Sequence, residues 1–215
     1  MLAGLDIQQR SLLEEEKTKI RFKRGEYIYK EGFYPSGLFC LKKGKVMITK
    51  SDNIGNVIVI NLHKEVTFLG TAEFIARQAY QTDCLAIDDV EVCLIKKERI
   101  EAFMSRQKLF STRLLTEIAN QYFQANQRML NATKKHMTAR LADALLELYR
   151  VFGVDSRGYL DVYLKRAELA IMSNMSVANA IRHLSGFQKE KLITIHKKMV
   201  RIDDIDGLKL ESQIH

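Results

Sequence analysis

The stretch of residues 164–193 reads LKRAELAIMSNMSVANAIRHLSGFQKEKLI and predicts two short helices that meet at a tight turn. The inner face of the first helix is expected to carry four small or apolar side chains, Ala167, Leu169, Ala170 and Met172. The period breaks at residues 173–175, where Asn174 suits a turn or a left-handed backbone conformation. Such a pair is typical of proteins that read the major groove of DNA, although an ordinary helical hairpin has the same periodicity.

The second helix is expected to begin after Ser176, because a serine hydroxyl at this position accepts a hydrogen bond from an amide of the first turn. Apolar residues recur at helical spacing and are expected to pack inward: Val177, Ala180, Ile181 and Leu184. The remaining faces are polar and would point outward. We therefore expect contacts to bases and phosphates from this helix, at Ser176, Val177, Ala178, Asn179, Arg182 and His183.

A β-hairpin with a basic tip is predicted directly after this helix. Residues 192–195 and 199–202 alternate as strands do, and His196, Lys197 and Lys198 lie between them. A basic hairpin beside a second helix is the winged-helix arrangement. Five cations could neutralise phosphates or, alternatively, only keep the surface solvated: Lys189, Lys191, Lys197, Lys198 and Arg201.

Composition limits the class of protein. The 215 residues are 47% hydrophobic, enough for one large or two small domains, and no run of 18 apolar residues is present to span a membrane. Three scattered cysteines and the lack of a secretion signal favour a reduced, cytoplasmic protein. The net charge of +8 favours anionic partners, but it is not segregated. Residues 134–215 hold 14 Lys and Arg against 10 Asp and Glu, a net charge of +4, which leaves +4 for the preceding residues.

The N-terminal part predicts a small antiparallel roll or barrel. After an amphipathic helix over residues 6–17, residues 22–97 form a series of short alternating runs. Glycines fall between or beside these runs at turn-like intervals, at Gly25, Gly32, Gly37, Gly44, Gly55 and Gly70.

A long helix is predicted between the roll and the helix pair, from about residue 108 to residue 132. Apolar residues recur in steps of 3 and 4 along it, at Leu115, Ile118, Tyr122, Ala125, Met129 and Ala132. This narrow seam predicts a parallel homodimer, although the helix could instead pack only on its own roll, as Leu114 and Phe123 are expected to do. A dimer would present two recognition helices to palindromic DNA, with half-sites about one helical turn apart.

The chain resembles the cyclic AMP receptor protein and FNR family of bacterial transcription regulators. The resemblance rests on residues 22–32, FKRGEYIYKEG, on residues 38–46, LFCLKKGKV, and on the two helices at residues 166–170 and 176–184. It implies an α+β fold with three parts: an antiparallel β-roll of the cyclic-nucleotide-binding, jelly-roll type at residues 1–107, a dimerisation helix and hinge at 108–136, and a winged helix-turn-helix at 137–215. It also implies double-stranded DNA, a second copy of the chain and RNA polymerase as partners.

The effector-binding part of the resemblance is incomplete. Cyclic-nucleotide-binding members carry a Phe-Gly-Glu segment whose Glu holds the ribose, and a later Arg-Ser pair that holds the cyclic phosphate. This chain has Leu69-Gly70-Thr71-Ala72 and Tyr80-Gln81 there, so cyclic AMP is not expected unless Arg77 replaces the missing arginine. The candidate effector pocket is formed by Gly70, Thr71, Ala72, Tyr80, Gln81 and Thr82.

Other cofactors are judged by residue type. Iron–sulfur members need four cysteines, and this chain has three, the first of them Cys40, so no such cluster is expected. Haem stays open, with His63 and the cysteines as candidate ligands by type only. In the recognition helix, Arg182 matches the family's arginine, whereas Ala178 stands where many members have a cytosine-reading Glu.

An enzyme is not expected, because the chain has no Gly-rich phosphate loop, nucleophile elbow or metal-ligand cluster. The acid pairs Asp88-Asp89 and Asp203-Asp204 are interpreted as solvated turn residues. The alternative function is a cyclic-nucleotide-type regulatory domain that acts on a protein partner without binding DNA. Such a domain would not need a basic wing.

Overall fold

The computed structural model describes residues 18–213, except for the side chains of residues 128 and 130–134. The helix predicted at residues 6–17 and the seam side chain of Ala132 lie outside this description. Contacts divide the chain into two compact units, one with residues up to 51 and 60–125, the other with residues 52–59 and 126 onward. The two units are described separately.

Residues 18–96 contain two four-stranded sheets, in agreement with the predicted antiparallel roll. Eight strands form them: β1 (Thr18–Phe22), β2 (Tyr27–Tyr29), β3 (Gly37–Lys43), β4 (Lys45–Ser51), β5 (Val57–Lys64), β6 (Thr67–Leu69), β7 (Asp83–Ala86) and β8 (Val90–Lys96). The strand orders are β1-β8-β3-β6 and β2-β7-β4-β5. Within them, β8 is antiparallel to both β1 and β3, and β7 is antiparallel to both β2 and β4. The interpretation as a jelly-roll-type roll is confirmed.

Alternation along β3 and β8 divides their side chains between two cores. Leu41 and Val92 belong to a cluster that also includes residues of β2, β4 and β7, so this cluster lies between the sheets. Cys40 and Cys93, which are directly paired across the two strands, belong to the other cluster with residues of three helices. Successive residues of a strand point to opposite faces, and here both faces are buried.

Three helices cover the outer face of this sheet: α1 (Thr71–Ala76), α2 (Lys97–Arg106) and α3 (Lys108–Lys134). Phe110 at the start of α3 packs edge-on against Phe68 and Phe103, with ring centroids 5.9 Å and 4.8 Å apart. Leu114 is fully buried, as predicted, but Phe123 is 67% exposed and the expectation that it packs on the roll is wrong. The first two turns of α3 supply the helix's anchoring contacts to the roll.

Residues 137–213 of the C-terminal unit contain four helices and a hairpin: α4 (Met137–Phe152), α5 (Arg166–Met172), α6 (Val177–Lys189), β9 (Ile193–His196), β10 (Met199–Ile202) and α7 (Ile205–Ser212). Leu141, Leu145 and Leu148 are buried along one face of α4 and belong to this unit's core. The chain before α5 is hydrogen-bonded to this hairpin, because the amide of Leu160 donates to the carbonyl of Val200 over 2.8 Å. The predicted helix pair and hairpin are therefore present within one packed unit.

Candidate nucleic-acid interface

The turn between α5 and α6 has the geometry that its sequence predicts. Asn174 adopts the left-handed conformation, with φ of 48°, and its carbonyl accepts a hydrogen bond of 3.0 Å from the Arg140 guanidinium on α4. The Ser176 hydroxyl accepts a 3.2 Å hydrogen bond from the amide of Asn179, which is the predicted N-cap. Both contacts set the direction in which α6 leaves the turn.

The buried side of α6 differs from the predicted one. Ala180, Leu184 and Phe187 are buried, whereas Val177 is 42% and Ile181 is 48% exposed. The expectation that Val177 and Ile181 pack inward is therefore wrong, and so is the one that Ala167 lies on the inner face of α5, because its side chain is exposed. The inward stripe of α6 runs at spacings of 4 and 3, and Phe187 is its largest member.

The outward face of α6 follows from this stripe, because each residue turns the helix by about 100°. Ala178, Arg182 and Ser185 lie on the side opposite the buried residues, and all three are exposed. Ile181, which is also exposed, lies between that side and the buried stripe. Arg182 forms no ion pair with any residue in the described part of the chain. Its guanidinium is thus available for a ligand.

Two of the predicted contact residues turn toward α4 instead. The Asn179 side-chain amide donates to the sulfur of Met137 over 3.3 Å, and Nδ1 of His183 lies 3.1 Å from the hydroxyl of Thr138. Burial lowers the pKa of His183, and the adjacent charge of Arg182 lowers it further. The half-buried imidazole is therefore mostly neutral near pH 7, and it joins α6 to the start of α4.

The hairpin tip is a two-residue turn with exposed lysines. Met199 pairs with His196, so Lys197 and Lys198 form the turn, and Lys197 is in the left-handed region with φ of 55°. The Lys198 ammonium lies 5.2 Å from the ring centroid of Tyr163, which orients it by a cation–π contact. Lys189 and Lys191 are also exposed.

Arg201 differs from these lysines. Its Nε donates to a carboxylate oxygen of Asp203 over 2.7 Å, and its guanidinium lies 5.7 Å from the Tyr159 ring centroid. The interaction with Asp203 raises the pKa of Arg201 further above its usual value. The prediction that Arg201 neutralises phosphate is not supported by this geometry, because its charge is already balanced.

The acid pairs have structural roles rather than being only solvated. Asp204 caps α7 by accepting from the amide of Gly207 over 2.9 Å, and Asp203 holds Arg201. In the roll, Asp88 accepts from the backbone amide of Lys45 over 2.6 Å, and Asp89 accepts from the Lys23 ammonium over 3.0 Å. The interpretation of these four aspartates as only solvated turn residues is therefore incomplete.

The candidate effector region of the roll is closed by a tyrosine. Gly70, with φ of 71°, packs so tightly on Tyr80 that a Cβ at residue 70 would lie 2.4 Å from the ring. The buried Tyr80 ring also stacks on Tyr29, with centroids 3.9 Å apart and planes 11° from parallel. Burial raises the pKa of both phenols, so both rings stay neutral. An aromatic stack thus occupies the position that the sequence comparison assigned to a phosphate-binding arginine.

The other candidate residues of this region are only partly brought together. The hydroxyl of Thr71 is buried without a hydrogen-bond partner among the described residues, and Thr82 is half-buried. Ala72 and Gln81 are exposed, and the Gln81 amide donates to the carbonyl of Ala79. Arg77, the possible substitute arginine, is exposed and lies 3.5 Å from a Glu101 carboxylate oxygen, so it does not replace the missing cation.

Two family models match the chain, one over each unit's main elements. The model described as cyclic nucleotide-binding domain matches residues 19–107, and the model described as Crp-like helix-turn-helix domain matches residues 139–211. The chain belongs to the CRP/FNR family of transcription regulators. It is a DNA-binding transcription regulator, and proteins of this family are regulators rather than enzymes.

Relatives of this CRP/FNR regulator are distant but span most of its length. It is 22% identical to the transcriptional regulatory protein btr of Bordetella pertussis over 90% of this chain and 80% of that one. It is 23% identical to the global nitrogen regulator of Synechococcus elongatus, over 85% of this chain and 84% of that one. The structure of FixK2 from Bradyrhizobium japonicum superposes with a TM-score of 0.83 at 18% identity, over 93% of this chain and 99% of that one.

In this CRP/FNR regulator the apolar seam of α3 faces outward. Leu115, Tyr122, Ala125 and Met129 are exposed and Ile118 is half-buried. The five side chains lie along one stripe, on the side of the helix away from Asn120. They are not used for packing within the N-terminal unit's clusters.

In the CRP/FNR regulator, the cysteines that were candidate haem ligands by residue type lie in the interior of the roll. Cys40, Cys84 and Cys93 are buried thiols, and burial raises the pKa of Cys84, which disfavours the thiolate form. Residues 18–213 contain no group of three metal-ligating side chains. Within the same part of the chain, no helix combines the length and apolar character needed to cross a bilayer.

Ile181 is an exposed residue of α6 that sequence reasoning placed on the wrong side. A signal existed, because Phe187 continues the stripe of Ala180 and Leu184 at the next helical step. Placing the stripe on Phe187 would have turned Ile181 outward.

Proposed function

We propose that this regulator binds palindromic operators as a homodimer and reads each half-site with the outward face of α6. The observation that carries the proposal is the exposed Arg182 guanidinium, without an ion-pair partner among the described residues, on the second helix of the pair. Lys197 and Lys198 on the adjacent hairpin supply cations for phosphates. Ala178, Ser176 and Val177 remain proposed contact residues on the first turn of α6, with Lys189 at its end.

The proposed dimer interface is the exposed seam of α3. Four exposed apolar side chains form one stripe along the helix, and a contiguous exposed apolar surface of this kind is typical of an interaction site. A parallel copy of the helix would bury these side chains by knobs-into-holes packing. The resulting two-fold axis would place two α6 helices on half-sites about one helical turn apart. Such a dimer would act in the cytoplasm, where the operators are, and would contact RNA polymerase there.

The proposed effector is a molecule other than cyclic AMP, acting at the roll or along α3. The stack of Tyr80 on Tyr29 supports this proposal, because the ring fills the position where a phosphate-binding arginine would lie. A cyclic phosphate placed near a neutral phenol would lack the bidentate, charge-assisted hydrogen bonds that an arginine provides. The exposed Arg77, close to Glu101, does not supply them.

Selection of bound DNA from a random pool tests the proposal, with the purified protein alone and then with cyclic AMP at one salt concentration. We expect a palindrome in both conditions. A palindrome only in the presence of cyclic AMP would contradict the proposed role of Tyr80. No enriched sequence in either condition would contradict sequence-specific binding by the protein as purified.

The contact residue itself is tested with Arg182→Ala on the selected operator. We expect the variant to lose about 1–3 kcal/mol of binding free energy and to relax one base position, because an arginine reads guanine by a bidentate contact. Arg150→Ala is the matched control: it removes the same charge from an arginine that is already bonded to Glu147 on α4. Equal affinities for the two variants would refute the assignment of Arg182.

A further inference from the structure

The exposed surface of α6 carries apolar side chains that are not part of its buried stripe. Val177, Ala178 and Ile181 are all exposed, and residues four apart on a helix are surface neighbours. Ile181 is 48% exposed although it is a β-branched aliphatic residue in a 13-residue helix. The inward stripe of Ala180, Leu184 and Phe187 leaves Ile181 no part in the core of the unit.

We infer that Ile181 is a specificity-determining residue that reads the C5-methyl group of thymine in the major groove. The inference rests on the proposed function of α6. Thymine is the base that offers an apolar group at its major-groove edge, and aliphatic side chains recognise it by contact. Ala178 lies one helical turn before Arg182 and adds a second methyl group next to Ile181.

Neighbouring side chains on the same face point to the same ligand. The Ser185 hydroxyl donates to the carbonyl of Ile181 over 3.0 Å, so its proton is already used within the helix. Arg182 is then the strong hydrogen-bond donor next to the apolar group. A face that combines aliphatic groups with one guanidinium matches a sequence of thymines beside a guanine.

The surrounding charge favours DNA over a second protein as the occupant of this face. Arg182 follows Ile181 directly, Lys189 lies two turns further along α6, and the hairpin after the helix carries two more lysines; none of the four cations forms an ion pair with a described residue. An apolar group in a basic unit is complementary to the methyl groups of a groove that phosphates line.

The test replaces thymine by uracil in the selected operator, one position at a time, because uracil lacks only the methyl group. Fluorescence anisotropy with the full-length protein should show about a fourfold loss of affinity at one or two positions per half-site, the factor expected for one buried methyl group. Ile181→Ala should bind the thymine operator more weakly and should no longer distinguish uracil from thymine at that position.

Ser185→Ala is the matched control, since it alters the same outward face but keeps the aliphatic group. It should retain the full preference for thymine. If the wild-type protein binds every uracil operator as tightly as the thymine operator while Arg182→Ala still weakens binding, the inference is overturned and the proposed function stands. If no sequence is enriched in the selection, both the inference about Ile181 and the proposed function are overturned.

Discussion

Replacing Gly70 by alanine tests whether the buried ring of Tyr80 leaves room for a methyl group at this residue. Gly70→Ala faces two penalties. An L-residue in the left-handed conformation costs about 1–2 kcal/mol, and the new Cβ would lie 2.4 Å from the ring of Tyr80. That ring is buried and stacked on Tyr29, so moving it would disturb its own packing, and overpacking of this kind costs about 1–3 kcal/mol. We expect a total loss of about 2–5 kcal/mol in the free energy of unfolding.

Gly25→Ala is the control, because Gly25 also has a positive φ, of 92°, but a Cβ there would meet nothing within 4 Å. It should show only the backbone penalty of about 1–2 kcal/mol. Urea unfolding of the full chain, followed by circular dichroism and tyrosine fluorescence, measures both variants, and a Tyr80→Ala background should remove the excess at residue 70. The reasoning is refuted if Gly70→Ala costs no more than Gly25→Ala, or if the excess persists without the Tyr80 ring.

Three further changes probe the other surfaces. Tyr122→Glu should shift the protein toward monomer in sedimentation equilibrium by placing a charge in the seam, whereas Asn120→Glu on the opposite side of α3 should not; equal behaviour would exclude this seam. Lys198→Ala should weaken binding to all DNA sequences and lower the salt slope of log K by about one per protomer, while Arg201→Ala, already bonded to a carboxylate, should change that slope little. Burial lowers the pKa of His183, so the contribution of this residue to stability is complete above about pH 6.5 and is lost as pH falls through the folded pKa. In urea unfolding between pH 7 and pH 5, the free energy of unfolding should therefore fall more steeply for the wild type than for His183→Gln. Parallel pH dependences for the two proteins would contradict this role of His183.

The elements that sequence reasoning found are those with a strong local signal. The helix turn at Asn174, the cap at Ser176 and the alternating strands follow from the chemistry of a few adjacent residues. Ile181 was misassigned because apolar residues on two sides of α6 both fit a helical period. Phe187, which continues the stripe of Ala180 and Leu184, distinguishes the buried side from the other one.

Long-range contacts explain the remaining differences. The stack between Tyr80 and Tyr29 joins residues 51 positions apart in the chain, and no local pattern announces it. By contrast, the bond between Arg201 and Asp203 had a local signal, since Asp203 is an acidic residue only two positions after Arg201, directly after the strand ends. The short helix α1 begins one residue after a three-residue strand, and it is too short for its periodicity to stand out.

The division of α6 into a buried stripe and an unburied face has an evolutionary consequence. Ala178, Ile181, Arg182 and Ser185 contribute little to the hydrophobic core, so mutations there are close to neutral for folding. After gene duplication, the copies could acquire new operators by drifting at these few codons without compensating changes elsewhere. Divergence of regulatory targets would then proceed faster than divergence of the scaffold that presents them.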